Sequence, residues 1–124
     1  MSNPTQTFAD ALQQLESTRD VDAFVSSVFA ADPQLIRPET GQQEQGTSGA
    51  QRFWQQYLDQ FQDISSTFDR VADGEVGVLE WSSSGHLSNG SDISYRGVSL
   101  LDVDADGRVT RFATYYDTQP FTPS

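Results

Sequence analysis

The residues with the clearest chemical potential lie near the end of the chain, in "GRVTRFATYYDTQPF", where two tyrosines precede Asp117. A carboxylate in a partly dry pocket has a raised pKa, which suits it to take a proton from a carbon next to a carbonyl. Asp117 is therefore a candidate general base; the alternative is a strand-end carboxylate that binds a backbone N–H or a tyrosine hydroxyl. Tyr95 and Tyr115 are candidate donors to an enolate oxygen, or else amphipathic core residues with satisfied hydroxyls.

Two further ionisable residues belong to the same candidate set. His86 is the only histidine, and it is either a catalytic donor or an exposed residue near a hairpin tip. A metal site at His86 needs further ligands at suitable spacing, and none is evident, so we expect neither a metal nor a cofactor. Glu80 is a second acid near Asp117 if it faces inward, and a solvated charge if it faces outward.

Helical periodicity in the first half of the chain predicts three helices that could carry these groups. Apolar residues at helical spacing indicate helices over 5–17, after Asp20, and over about 49–63. Asp20 is a plausible N-cap, and Pro33 is expected to end the second helix.

The second half of the chain has the composition of strands. We expect a short strand in "QLIRPE" and four longer ones, at about 65–72, 75–88, 92–103 and 108–117. Asp-Gly and Asn-Gly pairs between the longer strands favour tight hairpins and an antiparallel meander. Helices followed by such strands predict an α+β fold.

The hairpins suggest a register for this sheet. A two-residue turn at Asn89-Gly90 places Glu80 opposite Ser99, and pairing of Val103 with Val109 places Ser99 opposite Ala113. One face then carries small residues ringed by polar and ionisable groups: Glu80, His86, Tyr95, Ser99, Ala113, Tyr115 and Asp117.

Such a face is typical of a ligand cavity, because small residues leave room and buried polar groups need partners. We expect a small hydrophobic ligand to contact residues of the sheet and of the third helix, namely Glu80, Trp81, Ser99, Ala113, Trp54 and Tyr57. The opposite face carries several large apolar residues, which predicts a homodimer through the sheet.

Composition narrows the classes of partner. The 124 residues suit one domain, 1–124, with its core at about 6–121. A net charge of −11 disfavours nucleic acid and anionic membranes, and no apolar run approaches the roughly 18 residues that cross a bilayer. The absence of cysteine and of a signal-like N-terminus predicts a cytoplasmic protein.

The order of these parts resembles a known family. Three helices with "RFWQQYL" in the third, then "LEWSSSGHLSNG" and "GVSLLDVDADGRVTRFATYYD", are similar to the nuclear-transport-factor-2-like superfamily, in particular its SnoaL-like, polyketide cyclase-related branch. The resemblance implies a cystatin-like α+β barrel: a curved antiparallel sheet wrapped around three helices as a cone, with a pocket at its open end.

The resemblance also implies roles for particular residues. In SnoaL-type cyclases an acid near the end of the last strand acts as general acid/base with help from a histidine, and Asp117 and His86 match. Other patterns of the superfamily are incomplete: no tyrosine precedes Tyr57, Arg96 is followed by Val98 where an epoxide hydrolase has Asp, and scytalone dehydratases use more than one histidine. The implied function is cofactor-free isomerisation, aldol cyclisation or dehydration of a small hydrophobic carbonyl compound; the alternative is a non-catalytic binding or dimerisation module.

Overall fold

A computed structural model describes residues 3–121 of the chain, so the ends of the predicted domain, 1–2 and 122–124, lie outside the described residues. It contains three α-helices and a terminal 3₁₀ helix: α1 Pro4–Thr18, α2 Val21–Val28, α3 Gly46–Asp59 and η1 Gln119–Phe121. None of the helices within the described range is long and apolar enough to cross a bilayer.

The three predicted helices are confirmed, and local capping explains where two of them begin. The Asn3 side chain accepts the Gln6 N–H at 3.0 Å, and the predicted cap Asp20 accepts the Ala23 N–H at 3.1 Å. The second helix ends earlier than expected, because Phe29 already pairs with Val109 as a strand.

Six strands form one mixed sheet in the order β2-β1-β6-β5-β4-β3. Their bounds are β1 Phe29–Arg37, β2 Gln42–Gln45, β3 Phe61–Ala72, β4 Gly77–Leu87, β5 Asp92–Val103 and β6 Val109–Tyr116. The four longer strands are confirmed, "QLIRPE" belongs to the longer β1, and β2 has no counterpart in the prediction. Strands β1 and β6 run parallel, whereas all other neighbours are antiparallel.

The helices pack on the concave face of this curved sheet around an aromatic core. Phe8 from α1 lies 5.3 Å from Phe112 of β6 and 5.6 Å from Phe24 of α2, measured between ring centroids. Trp54 of α3 lies 5.2 Å from the same Phe112 ring. The core therefore ties all three helices to the middle of the sheet.

The predicted register between β4 and β5 is wrong by one residue. The hairpin loop has three residues, Ser88–Gly90, closed by the Leu87 N–H donating to the Ser91 carbonyl at 2.8 Å. Gly90 has a φ of 91°, the left-handed value that ends such a loop with a bulge. Glu80 consequently lies opposite Val98, not Ser99.

A second slip of one residue occurs between β5 and β6. Val103 pairs with Val109 as predicted, but a bulge follows at Asp102, and Ser99 then pairs with Thr114, not Ala113. Because side chains alternate along a strand, a shift of one residue exchanges the two faces of that strand. The inner face of β5 is as predicted, whereas in β4 and β6 the residues predicted to face inward face outward. Glu80, Ala113 and Tyr115 therefore belong to the outer face.

Candidate ligand-binding site

A cavity lies between the concave face of the sheet and helices α1 and α3. Its apolar walls are mainly aromatic: Leu12, Phe53, Trp54, Trp81, Phe112 and Phe121. Its polar lining comes from helix α3 and from five strands: Arg37, Tyr57, Gln60, Ser66, Ser83, Tyr95, Ser99, Thr114 and Tyr116. The cavity volume is about 40 Å³, enough for at least one water.

A buried carboxylate stands behind one wall of the cavity. Glu16 Oε2 accepts hydrogen bonds from the Tyr57 hydroxyl and the Ser66 hydroxyl, both at 2.6 Å. Glu16 Oε1 accepts the Ser66 backbone N–H at 2.8 Å. The Ser83 hydroxyl lies 2.6 Å from that of Ser66. Because Tyr57, Ser66 and Ser83 line the cavity, the network joins the cavity surface to the carboxylate.

Burial sets the proton affinity of this network. Loss of solvent raises the pKa of Glu16, and the hydrogen bonds from Ser66 and Tyr57 only partly oppose it. Burial, with the nearby Tyr95 and Glu16, raises the pKa of Tyr57 well above its usual value. Tyr57 therefore remains a neutral donor to a carboxylate that binds a proton more readily than an exposed glutamate.

Arg37 brings a buried positive charge to the same cavity. It is 5% exposed, and its guanidinium carbon lies 4.0 Å from the centre of the Phe53 ring. Its Nη1 donates to the Gln42 side-chain oxygen, and the Tyr116 hydroxyl is close enough to act on the guanidinium electrostatically. Burial lowers the pKa of Arg37, and the phenol groups of Tyr116, Tyr95 and Tyr57 oppose that shift.

No carboxylate within residues 3–121 pairs with Arg37. The ion pairs in that range join Arg52 to Glu44 and His86 to Asp63 and Asp92. The guanidinium of Arg37 is thus a buried cation whose protein partners are neutral.

Tyr95 lies within electrostatic reach of both charged residues. Burial raises the pKa of Tyr95, the nearby Tyr116 and the Glu16 carboxylate raise it further, and the Arg37 guanidinium lowers it. Its ring also packs against Phe121 at 4.8 Å and Trp81 at 5.3 Å between centroids. The Tyr95 hydroxyl therefore stays protonated at neutral pH, and both Glu16 and Arg37 are near enough to influence its pKa.

The two cavity tryptophans differ in how their N–H groups are satisfied. Trp81 Nε1 donates to the Ser99 hydroxyl at 2.9 Å, and that hydroxyl lies 2.9 Å from Thr114 Oγ1. Trp54 Nε1 is buried and has no hydrogen-bond partner among the described residues. A buried donor is normally paired, so the Trp54 N–H is an exception among the described residues.

The family model of the SnoaL-like domain matches residues 6–112. The chain belongs to the SnoaL-like domain family. The resemblance inferred from the sequence is thereby confirmed. No protein with a curated description matches this SnoaL-like domain.

Solved structures share the fold of this SnoaL-like domain at low sequence identity. An NTF2-like protein of unknown function from Burkholderia pseudomallei has a TM-score of 0.81 at 20% identity, over 98% of this chain and 95% of that one. A protein from Jannaschia sp., named for its likeness to SnoaL-like polyketide cyclases, has a TM-score of 0.77 at 15% identity, over 100% and 98%. Rv0760c from Mycobacterium tuberculosis, in complex with estradiol-17β-hemisuccinate, has a TM-score of 0.76 at 13% identity, over 94% and 95%. These likenesses confirm the α+β fold.

Five of the predicted site residues line the cavity of the SnoaL-like domain. They are Trp54, Tyr57, Trp81, Tyr95 and Ser99. Tyr95 and Ser99 come from β5, the strand whose inner face was predicted correctly. Trp54 and Tyr57 come from the apolar face of α3.

The other five predicted site residues lie away from the cavity lining. Asp117 is exposed after β6, and its carboxylate accepts the Gln119 N–H at 2.9 Å, so it caps η1. His86 is exposed near the hairpin end of β4, with ring nitrogens 2.9 Å from Asp63 and 3.1 Å from Asp92. Glu80, Ala113 and Tyr115 are on the outer face because of the two register slips.

Glu16 and Arg37 were not predicted from the sequence as site residues, although the position of each in a periodic pattern indicated burial. Glu16 continues the helical stripe of buried residues Thr5, Phe8, Ala9, Leu12 and Leu15. Arg37 follows Pro33 and Leu35 at alternate positions of β1. In each case a charged residue occupies a position that periodicity assigns to the interior.

Proposed function

We propose that this SnoaL-like domain binds a small, mostly apolar carbonyl compound and moves a proton on it without a cofactor. The observation that carries the proposal is the Glu16 carboxylate, buried and hydrogen bonded at 2.6 Å to Tyr57 on an aromatic cavity wall. Protonation and deprotonation next to a carbonyl are the steps common to isomerisation, aldol cyclisation and dehydration. The complex of Rv0760c with estradiol-17β-hemisuccinate supports a cavity for small organic molecules in this fold.

The proposed proton path runs through Tyr57. The Tyr57 oxygen takes a proton from the carbon beside the carbonyl, while the Tyr57 O–H proton passes to Glu16 Oε2. The carbonyl oxygen, now an enolate oxygen, accepts a hydrogen bond from Tyr95. Return of the proton to another carbon gives isomerisation. Attack of the enolate carbon on a second carbonyl, followed by return of the proton to the new alkoxide, gives an aldol product. Transfer of the proton to a departing hydroxyl gives dehydration.

The raised pKa of Glu16 suits this role. A base works best when its pKa approaches the working pH, and burial moves Glu16 in that direction. The Ser66 backbone N–H and hydroxyl hold the carboxylate in place while it gains or loses the proton.

Deuterium exchange tests the proposal directly. We expect the protein to accelerate exchange of the methyl protons of acetophenone in D₂O, and we expect Glu16→Gln to slow that exchange by about 10²–10⁴-fold, the usual contribution of a general base. Proton NMR measures the rate. Asp117→Asn is the matched control and should exchange like the wild type, since Asn keeps the cap on Gln119. Loss of exchange in Asp117→Asn with retention in Glu16→Gln would return proton transfer to Asp117.

A second candidate, binding without catalysis, is favoured by one observation. Glu16 already accepts three hydrogen bonds and is not itself part of the cavity lining. In that case a calorimetric titration should show that acetophenone binds, while its methyl protons exchange no faster than in buffer.

We further propose that the domain forms a homodimer through the outer face of its sheet. Val98 and Tyr115 lie opposite each other on β5 and β6, and both are exposed large apolar residues. Sedimentation at micromolar concentration should give twice the chain mass of 13.7 kDa, and Val98→Glu should reduce it to one chain. A wild-type mass of one chain contradicts the dimer.

A further inference from the structure

We propose that the ligand of this cavity carries a carboxylate and that Arg37 binds it. The inference rests on the proposed function in one respect, since it takes the cavity as the binding site. It adds the substrate class, a carbonyl compound that is also an organic acid. The carbonyl end faces Tyr57 and Tyr95, and the acid end faces Arg37.

Arg37 is a buried cation, and no carboxylate among the described residues pairs with it. Taking a charge out of water is costly unless an opposite charge compensates for it. Within residues 3–121 the Arg37 guanidinium donates to the Gln42 amide oxygen and stacks on the Phe53 ring, with the Tyr116 hydroxyl nearby. A guanidinium has five N–H donors, so donors remain for a ligand after the bond to Gln42.

Neighbouring side chains hold the Arg37 guanidinium in place. Gln42 Nε2 donates to Gln56 Oε1 at 2.6 Å and to Glu44 Oε2 at 3.3 Å, which fixes the Gln42 side-chain oxygen toward Arg37. The Phe53 ring supports the guanidinium at 4.0 Å. A cation held in this way before a ligand arrives needs little reorganisation to bind an anion.

The chemistry of the cavity selects a carboxylate among anions. The planar fork of an arginine matches the two oxygens of a carboxylate. One guanidinium neutralises one negative charge, whereas a phosphate monoester brings close to two into a cavity whose wall already has the Glu16 carboxylate behind it. The aromatic walls, including Trp54 and Phe112, fit the apolar body of an organic acid.

The test compares ligands of equal size that differ in charge. Benzoate and acetophenone form one pair, and 2-naphthoate and 2-acetylnaphthalene form a larger one. Calorimetric titration of the wild type should show at least a 10-fold preference for the acid within a pair, with phenyl phosphate weaker than benzoate. Arg37→Gln should lose that preference and keep its affinity for the ketone within about threefold. Arg96→Gln, an exposed arginine on β5, is the control and should behave like the wild type.

Stability separates a binding role for Arg37 from a structural one. Because no carboxylate within residues 3–121 pairs with Arg37, Arg37→Gln without ligand should melt at the same temperature as the wild type or higher. If Arg37→Gln fails to fold, Arg37→Lys keeps the charge without the fork and should reduce the acid preference only in part.

Each remaining outcome decides against one proposal or both. A lower melting temperature with an unchanged acid preference assigns Arg37 a structural role and overturns the inference. Equal affinity of the wild type for the acid and the ketone overturns the proposal that the ligand carries a carboxylate, while the cavity remains the proposed binding site. Tighter binding of phenyl phosphate than of benzoate overturns the carboxylate proposal in favour of a phosphate group. Failure of both ligand pairs to bind contradicts the inference and the proposed function together.

Discussion

Glu16→Ala is expected to destabilise the fold by about 3–5 kcal/mol. The change removes the acceptor of the Ser66 backbone N–H and of the Tyr57 hydroxyl, and each buried donor left unpaired costs about 1–3 kcal/mol. The lost side chain also leaves a cavity, since Glu16 is 8% exposed. Chemical denaturation at pH 7 measures the loss, with the exposed Glu80→Ala as control. A loss no larger than that of the control contradicts a role for Glu16 in stability.

Glu16→Gln should instead reveal the pH dependence of this carboxylate. The folded-state pKa of Glu16 is raised above its ordinary value of 4.5, so the unfolded chain loses its proton first as the pH rises. Through the window between 4.5 and the folded pKa, this group lowers the unfolding free energy by up to about 1.4 kcal/mol per pH unit. Glutamine cannot ionise, so the unfolding free energy of the Glu16→Gln protein does not fall for this reason. The stability of Glu16→Gln relative to the wild type should therefore increase with pH across the window and then level off.

A pH series of denaturant melts on both proteins isolates the contribution of Glu16, because all other carboxylates are common to the two. A difference in unfolding free energy that stays constant across this pH range would mean that burial does not raise the pKa of Glu16. The same outcome would weaken its assignment as the proton acceptor.

Phe112→Ala is expected to cost about 3–5 kcal/mol in unfolding free energy, as other Phe-to-Ala changes in cores do. Phe112 is 2% exposed, and its ring centroid lies 5.3 Å from that of Phe8, 5.2 Å from Trp54 and 5.8 Å from Phe53. Chemical denaturation measures the loss, and Phe112→Leu, which keeps most of the volume, should lose only about 1–2 kcal/mol.

The same substitution has a second readout because Phe112 is part of the cavity wall. Its removal should enlarge the cavity, so the affinity for 2-acetylnaphthalene should rise relative to that for acetophenone. An unchanged ratio of the two affinities in a folded Phe112→Ala protein would show that ligands do not reach Phe112.

Most of the fold followed from periodicity and turn residues, whereas the site depended on details that they do not determine. The helical stripes and the Asp20 cap located α1 to α3, and the spacing of the turns located β3 to β6. The loop length at Ser88–Gly90 could not be predicted, because an Asn-Gly pair fits both two-residue and three-residue loops. The bulge at Asp102 was not predicted either. Each choice reverses the faces of a whole strand.

The residues that line the cavity were predictable only in part, for a related reason. Tyr95 and Ser99 were placed correctly because they sit on β5, where the predicted alternation held. Glu16 and Arg37 were overlooked because charged residues are seldom fully buried, and only their positions within buried stripes distinguished them. Whether such a residue pairs with a second charge or binds a ligand depends on residues far away in the sequence, which no local pattern shows.

The three-residue loop between β4 and β5 also bears on how this protein can diverge. If Asn89-Gly90 formed a two-residue turn with Ser88 paired to Ser91, β4 would shift against β5 by one residue and Glu80 would face the interior in place of Trp81. A change of turn type at an exposed hairpin tip would thus alter one wall of the cavity without a substitution in it. Among relatives, the pairing at this hairpin has to match before amino-acid identities at the cavity positions can be compared.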